Sequence, residues 1–140
     1  MNIRKLAAAV CLIAVVSGCS SPPLTMDQTV DATHTVLRRH YTKIESSEGG
    51  SDQRVVTTCW QELAELKERE RWQATATITV YDDEEDPSVD IVVMRQNDES
   101  DTGYGERSPS NPKWGLATRY QDEERKLSDE IQKELQPLRR

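Results

Sequence analysis

The eleven residues Arg71 to Tyr81, RWQATATITVY, alternate more regularly than any other part of the chain, and this constrains the fold most. Trp72, Ala74, Ala76, Ile78 and Val80 fall on one side of an extended strand, and Arg71, Gln73, Thr75, Thr77 and Thr79 on the other. A period of two with one apolar side predicts a half-buried antiparallel strand, not a strand buried on both faces. After the acidic turn Asp82 to Ser88, the same pattern returns in Val89, Ile91 and Val93. The small side chains of Ala74 and Ala76 predict that something packs closely on the apolar face, and a helix fits.

Two weaker strands precede these. Residues 41–48 (YTKIESSE) and 54–61 (RVVTTCWQ) flank Gly49-Gly50-Ser51-Asp52, a turn signal that pairs them as a hairpin. In the second segment Val55, Thr57 and Cys59 face one way, and Val56, Thr58 and Trp60 the other. Residues 61–71 (QELAELKERER) read equally as helix by composition and as a charged hairpin tip by their flanks. Both readings stay open.

Helices are expected at both ends of the domain. Thr25-Met26-Asp27-Gln28 fits a capping box, and Met26, Val30, Thr33, Leu37 and Tyr41 follow at spacings of four, three, four and four, which predicts a helix over 26–40. Leu116, Tyr120, Leu127, Ile131 and Leu135 keep near-helical spacing until Pro137, predicting a second helix over 116–136. Between them, residues 97–115 carry Gly, Pro, Ser and acid without periodicity, a long loop. The expected fold class is α+β, a two-layer sandwich whose four-stranded antiparallel sheet carries the N-terminal and C-terminal helices on one face.

The start of the sequence speaks to address. Arg4 and Lys5 precede an apolar run, Leu6 to Val16, of the length of a secretory signal and shorter than the roughly 20 residues a membrane-spanning helix needs. It ends in Val16-Ser17-Gly18-Cys19, which resembles the bacterial lipobox. The resemblance covers residues 1–19 and implies cleavage between Gly18 and Cys19, diacylation of the Cys19 thiol, and commonly a third chain on the new amino group. Two or three acyl chains hold a protein on a bilayer where one would release it. By the same resemblance, Ser20 after the cysteine points to the outer rather than the inner membrane, with the domain on the periplasmic face of the envelope. The expected organisation is therefore a signal peptide (1–18), a lipidated tether (19–24) whose prolines hold the domain off the bilayer, and one α+β domain (25–138). In arrangement alone, that domain resembles the small LPS-assembly lipoproteins, which implies a partner in the envelope, an outer-membrane barrel in that family.

Charge and chemistry narrow the function further. Residues 1–18 hold Arg4 and Lys5 and no acid, so the mature chain sets sixteen basic side chains against twenty-five acidic ones, a net charge of −9 that argues against nucleic acid as a partner. With no phenylalanine, the core falls to Val, Ile, Leu, Ala, Trp and Tyr. Of three cysteines, Cys11 leaves with the signal and Cys19 takes lipid, so Cys59 stands alone. It is expected to be a buried small hydrophobe, the alternative being a reactive or intermolecular thiol.

His34 and His40 lie six apart, about 600° around a helix, which does not bring them to one metal. Asn97, Glu99 and Asp101 alternate like the start of a calcium loop, but Gly103 comes one place late and Ser108 stands where the closing glutamate belongs. No nucleophile and base are placed as a hydrolase requires. The sequence thus predicts no enzyme, no cofactor and no metal site. It points to a non-enzymatic lipoprotein that is bound to the membrane by acyl chains on Cys19 and meets an envelope protein through its domain. The alternative is a lipoprotein that binds a small ligand or divalent metal through its acidic loops.

The candidate partner surface is the sheet face away from the helices, with Val56, Trp60, Val92 and Met94. The competing expectation is that residues 61–71 or the long loop cover it. Trp72 belongs to the core, and Trp114, after Pro112-Lys113, is expected to pin the long loop to the domain.

Overall fold

The computed structural model describes residues 22–63, 69–100 and 112–139. The signal segment, Gly18 and Cys19 lie outside the described residues, as do Asp101, Gly103 and Ser108. The fold is α+β: one antiparallel sheet with both helices on one face. Helix α1 is Met26–His40, and the strands are β1 (Ile44–Gly49), β2 (Gln53–Thr58), β3 (Gln61–Leu63), β4 (Glu70–Thr79), β5 (Ser88–Asn97) and β6 (Thr118–Arg119). Helix α2, Gln121–Leu135, follows and runs into a 3₁₀ turn, Gln136–Arg139. Six strands stand where four were expected, in the order β1-β2-β4-β5-β6, with β3 also paired to β4.

Helix α1 begins where the capping box requires. Gln28 N donates to Thr25 Oγ1 at 3.1 Å, and Thr25 N donates to Gln28 Oε1 at 3.0 Å. Its buried side carries Val30, Val36 and Leu37 together with Thr29 and Thr33, whose hydroxyls donate back to carbonyls one turn earlier. Helix α1 packs on β4, β1 and β2, and α2 packs on β5. Beneath them Ala74, Ala76 and Ile78 are fully buried, so the alanines do admit the helix layer closely. Across the layer, Arg39 pairs with Glu134, and His40 Nε2 lies 2.8 Å from Glu130 Oε2. These two contacts join the antiparallel helices.

Several element boundaries differ from expectation, each for a local reason. Leu24 is buried and its amide donates to Asp86 Oδ1 at 2.9 Å, so the domain begins inside the expected tether. Val80 lies past the end of β4 and is 38% exposed, not part of the core. Residues 118–119 are strand and not helix, because they pair with Met94 and Arg95 at the edge of β5. That leaves Leu116 87% exposed, while Tyr120 reaches the core from extended chain and meets Trp72 edge-on at 5.1 Å. Helix α2 then starts against β5 through Glu124, whose Oε1 accepts from Val93 N at 3.1 Å and Arg119 Nε at 2.7 Å. The Arg119 hydrogen bond, with help from the Val93 amide, holds the Glu124 carboxyl below its ordinary range.

Residues 61–71 resolve towards the hairpin: Gln61 to Leu63 pair with Trp72 to Glu70, and 64–68 lie outside the described residues. β2 and β3 are one edge of β4 interrupted by a bulge. Thr57 stands opposite Thr75 and Gln61 opposite Trp72, so residues 58–60 on one side face only 73 and 74 on the other. One extra residue reverses the alternation beyond it. Thr58 Oγ1 satisfies the amide left over, accepting from Ala74 N at 3.0 Å. At the opposite end of the sheet, Gly49 closes the β1–β2 turn with φ +129°, and a Cβ there would sit 2.1 Å from Gln53 O.

Replacing Thr58 by valine keeps the side-chain shape and removes that acceptor, leaving the buried Ala74 amide unpaired. Urea unfolding is expected to show a loss of about 1–3 kcal/mol, and an unchanged midpoint would show that the bulge does not depend on this hydrogen bond.

Candidate partner face

The face of the sheet away from the helices is read directly from the register. Thr57, Thr75 and Val92 stand in one row, and Gln73 and Met94 in the next, all half-buried, on the face away from the two described helices; residues 64–68 and 101–111, the segments expected as possible covers of this face, lie outside the described residues. Val92 and Met94 therefore lie where expected. Val56 does not. It is paired with Ala76, which is paired with Ile91, and it is fully buried in the core beneath the helices. The alternation of β2 puts Val56 and Thr58 on the helix side, and the bulge then sends Trp60 to the other. The two residues grouped in one surface are thus on opposite faces.

Trp60 shares the open face with Glu62 and Arg71, and there it meets a side chain that sequence reasoning placed outward without a role. The Arg71 guanidinium lies 4.6 Å from the Trp60 ring centroid and 4.4 Å from that of Trp114. A cation over an indole gains about 0.5–2 kcal/mol, depending on desolvation. Arg71 Nε donates to Gln96 Oε1 at 2.8 Å, while among the described residues no carboxylate pairs with its terminal nitrogens. Burial pulls the Arg71 pKa down, opposed by the charge of Glu62; the group stays cationic because an arginine begins so far above neutrality. What results is a planar donor fork in contact with two aromatic rings.

Trp114 reaches this stack because Asp98 fastens its segment to the end of β5. Asp98 bridges to Trp114 in the sheet, and its Oδ1 accepts from Ser100 Oγ at 2.6 Å, Ser100 N at 2.9 Å and Lys113 N at 3.0 Å. Arg69 Nη1 stands 4.0 Å from Oδ2, and Arg69 also pairs with Glu62. The Ser100 hydroxyl first, then the Ser100 and Lys113 amides and Arg69, hold the Asp98 carboxyl below its ordinary range, against the opposing effect of desolvation. Trp114 thus has a partner in Asp98 through backbone and in Arg71 through its ring, while residues 101–111 of the long loop it was expected to pin lie outside the described residues. No motif announces this cluster: Trp60, Arg71, Asp98 and Trp114 come together only through the bulge and the strand register.

Other groups singled out in the sequence are placed elsewhere. Cys59 is half-buried at the bulge, short of the full burial expected, with its amide donating to Lys43 O at 2.9 Å. His40 serves the helix pair, and His34 is half-buried with its pKa lowered by burial and then by Arg38. Of the acidic turn, Asp86 is engaged by Leu24 N and by Arg139 Nε at 3.1 Å. Among the described residues no group of three or more His, Cys, Asp or Glu is placed to hold a metal ion. Comparison of the chain with family models, with curated proteins and with solved structures gave no match.

The carboxylate of Asp98 sets a pH window for the clamp. Its folded pKa is below its unfolded value near 3.9, so its contribution is complete above that value and disappears as pH falls through the folded one. Asp98→Ala is expected to red-shift tryptophan emission at pH 7 with the far-ultraviolet circular dichroism unchanged. The wild-type chain is expected to show that shift only below about pH 4. Emission of the variant matching wild type at pH 7 would show that Asp98 does not hold Trp114.

Proposed function

We propose that this chain is a non-enzymatic cell-envelope lipoprotein, held by acyl chains on Cys19 at the periplasmic face of the outer membrane. In this reading it docks a protein partner on the open face of its sheet. The lipobox resemblance supports the anchor. In keeping with it, no helix among the described residues is long and apolar enough to cross a membrane. The observation that carries the docking reading is the Trp60–Arg71–Trp114 stack beside Val92 and Met94. Tryptophan, arginine and methionine are the residue types enriched at protein interfaces, and a guanidinium in contact with two indoles, its terminal nitrogens without a carboxylate partner among the described residues, is shaped for a carboxylate of the partner. The partner is thus a protein segment that offers a carboxylate to Arg71 and apolar side chains to Val92 and Met94.

Two experiments test the two halves of the proposal. Intact mass of the exported product is expected to show cleavage before Cys19 and added acyl chains, and Cys19→Ser is expected to release the domain from membranes; an unmodified thiol would end the anchor reading. For the partner, a photo-crosslinking residue at Met94 is expected to capture one protein in intact cells, where the same residue at Lys133 on α2 captures none. Arg71→Lys retains charge but loses the planar fork, and is expected to cut the Met94 crosslink at least tenfold with the melting temperature within a few degrees of wild type. Equal capture from both positions, or capture indifferent to Arg71→Lys, would overturn the docking reading.

A further inference from the structure

Chain length and hydrogen bonding together orient the domain on its membrane. Leu24 is buried and its amide is bonded to Asp86 in the β4–β5 turn, so the free tether ends there. Four residues lie between Cys19 and Leu24, and the five Cα-to-Cα steps, even fully extended, reach at most about 18 Å. The end of the domain that holds Leu24 therefore cannot leave the neighbourhood of the bilayer. That same end gathers the β1–β2 turn, the end of β4 and the 3₁₀ turn, whose Arg139 is bonded to the same Asp86.

This end also carries apolar surface. Among the described residues four large hydrophobic side chains are exposed, and three belong to it: Val80 (38%), Tyr81 (49%) and Leu138 (44%). An aromatic ring with a polar tip and two aliphatic side chains suit the head-group level of a membrane. The acidic residues of the turn, Asp82 to Glu85, restrict the surface they tolerate: anionic head groups would repel them, zwitterionic ones would not. Strand β4 runs ten residues from this end to Glu70, a rise of about 30 Å. At its far end stand Trp60, Arg71 and Trp114.

We infer that Val80, Tyr81 and Leu138 rest on a zwitterionic bilayer surface beside the acyl chains, so that the domain stands upright with the Trp60–Arg71–Trp114 stack turned away from the membrane. The inference rests on the Cys19 anchor proposed above and extends it. The open face then meets a partner from the periplasmic space or a projecting part of a membrane protein, not the lipid itself.

The test uses the full mature, acylated chain with Cys59→Ser, in phosphatidylcholine vesicles carrying a head-group energy acceptor. Thioether formation blocks Cys19, so a fluorophore attaches only to an introduced thiol, either Asp83→Cys or Lys113→Cys. Strong transfer from position 83 and weak transfer from position 113 is the expected result. Adding phosphatidylglycerol is expected to lower transfer from position 83. Inserting a Gly/Ser segment between Pro23 and Leu24, combined with Tyr81→Ser and Leu138→Ser, is expected to bring the two positions towards equality. Equal transfer in the acylated, vesicle-bound parent, or stronger transfer from position 113, overturns the orientation and leaves the anchor standing. A product that carries no acyl chains and stays off the vesicles overturns both.

Discussion

The pairing of β4 along both of its edges is the constraint on which the rest depends. Every residue from Glu70 to Thr79 has a partner on β5, and the opposite edge is shared between β2 and β3. A strand so held can place its side chains only up or down, and Ala74, Ala76 and Ile78 go down onto the helices. Two helices suffice for one face of a sheet this size, and the other face is left to Gln73, Thr75, Thr77 and the half-buried apolar side chains beside them.

A single bulge turns that architecture into a candidate site. Had β2 continued without interruption, Trp60 would lie on the same side as Val56 and Thr58, at the end of the core. The extra residue in 58–60 moves it to the open face, where Arg71 lies over it, and Asp98 brings Trp114 to the same guanidinium. Each part has its own support: Thr58 for the amide at the bulge, Gln96 for Arg71 Nε, and Ser100 and Lys113 for Asp98 Oδ1. A cation held in this way loses little conformational freedom on binding, which is the advantage of a preorganised donor. The cluster stands at one end of the sheet and the chain enters at the other, so the proposed anchor and the proposed docking site are separated along the length of β4.

Local information was enough for some elements and not for others. The capping box at Thr25 and Gln28, the face of α1 and the alternation of β4 and β5 depend on residues near in sequence, and all were legible. So was the class of fold, because a one-sided strand pattern flanked by amphipathic helices has few ways to bury its apolar faces. Leu116 and Tyr120 misled for a related reason: spacing of four is helical, yet the edge of β5 offered residues 118–119 backbone partners that a helix would have forgone. Leu24 was taken for tether because nothing beside it in sequence shows that Asp86, sixty-two positions away, accepts its amide.

What the sequence by itself determined is the two helices and the four main strands, the one-sided core and the excess of acid, together with a lipobox resemblance that implies an anchor at the start of the domain. These follow from periodicity, composition and short motifs, which are properties of neighbours along the chain. Tertiary structure alone decided that Val56 is core while Trp60 keeps to the open face where it was expected, and that Arg71 touches two indoles contributed from either side of it in sequence. The reason is physical: a register shift of one residue exchanges the faces of a strand, and register is settled by pairing between distant segments.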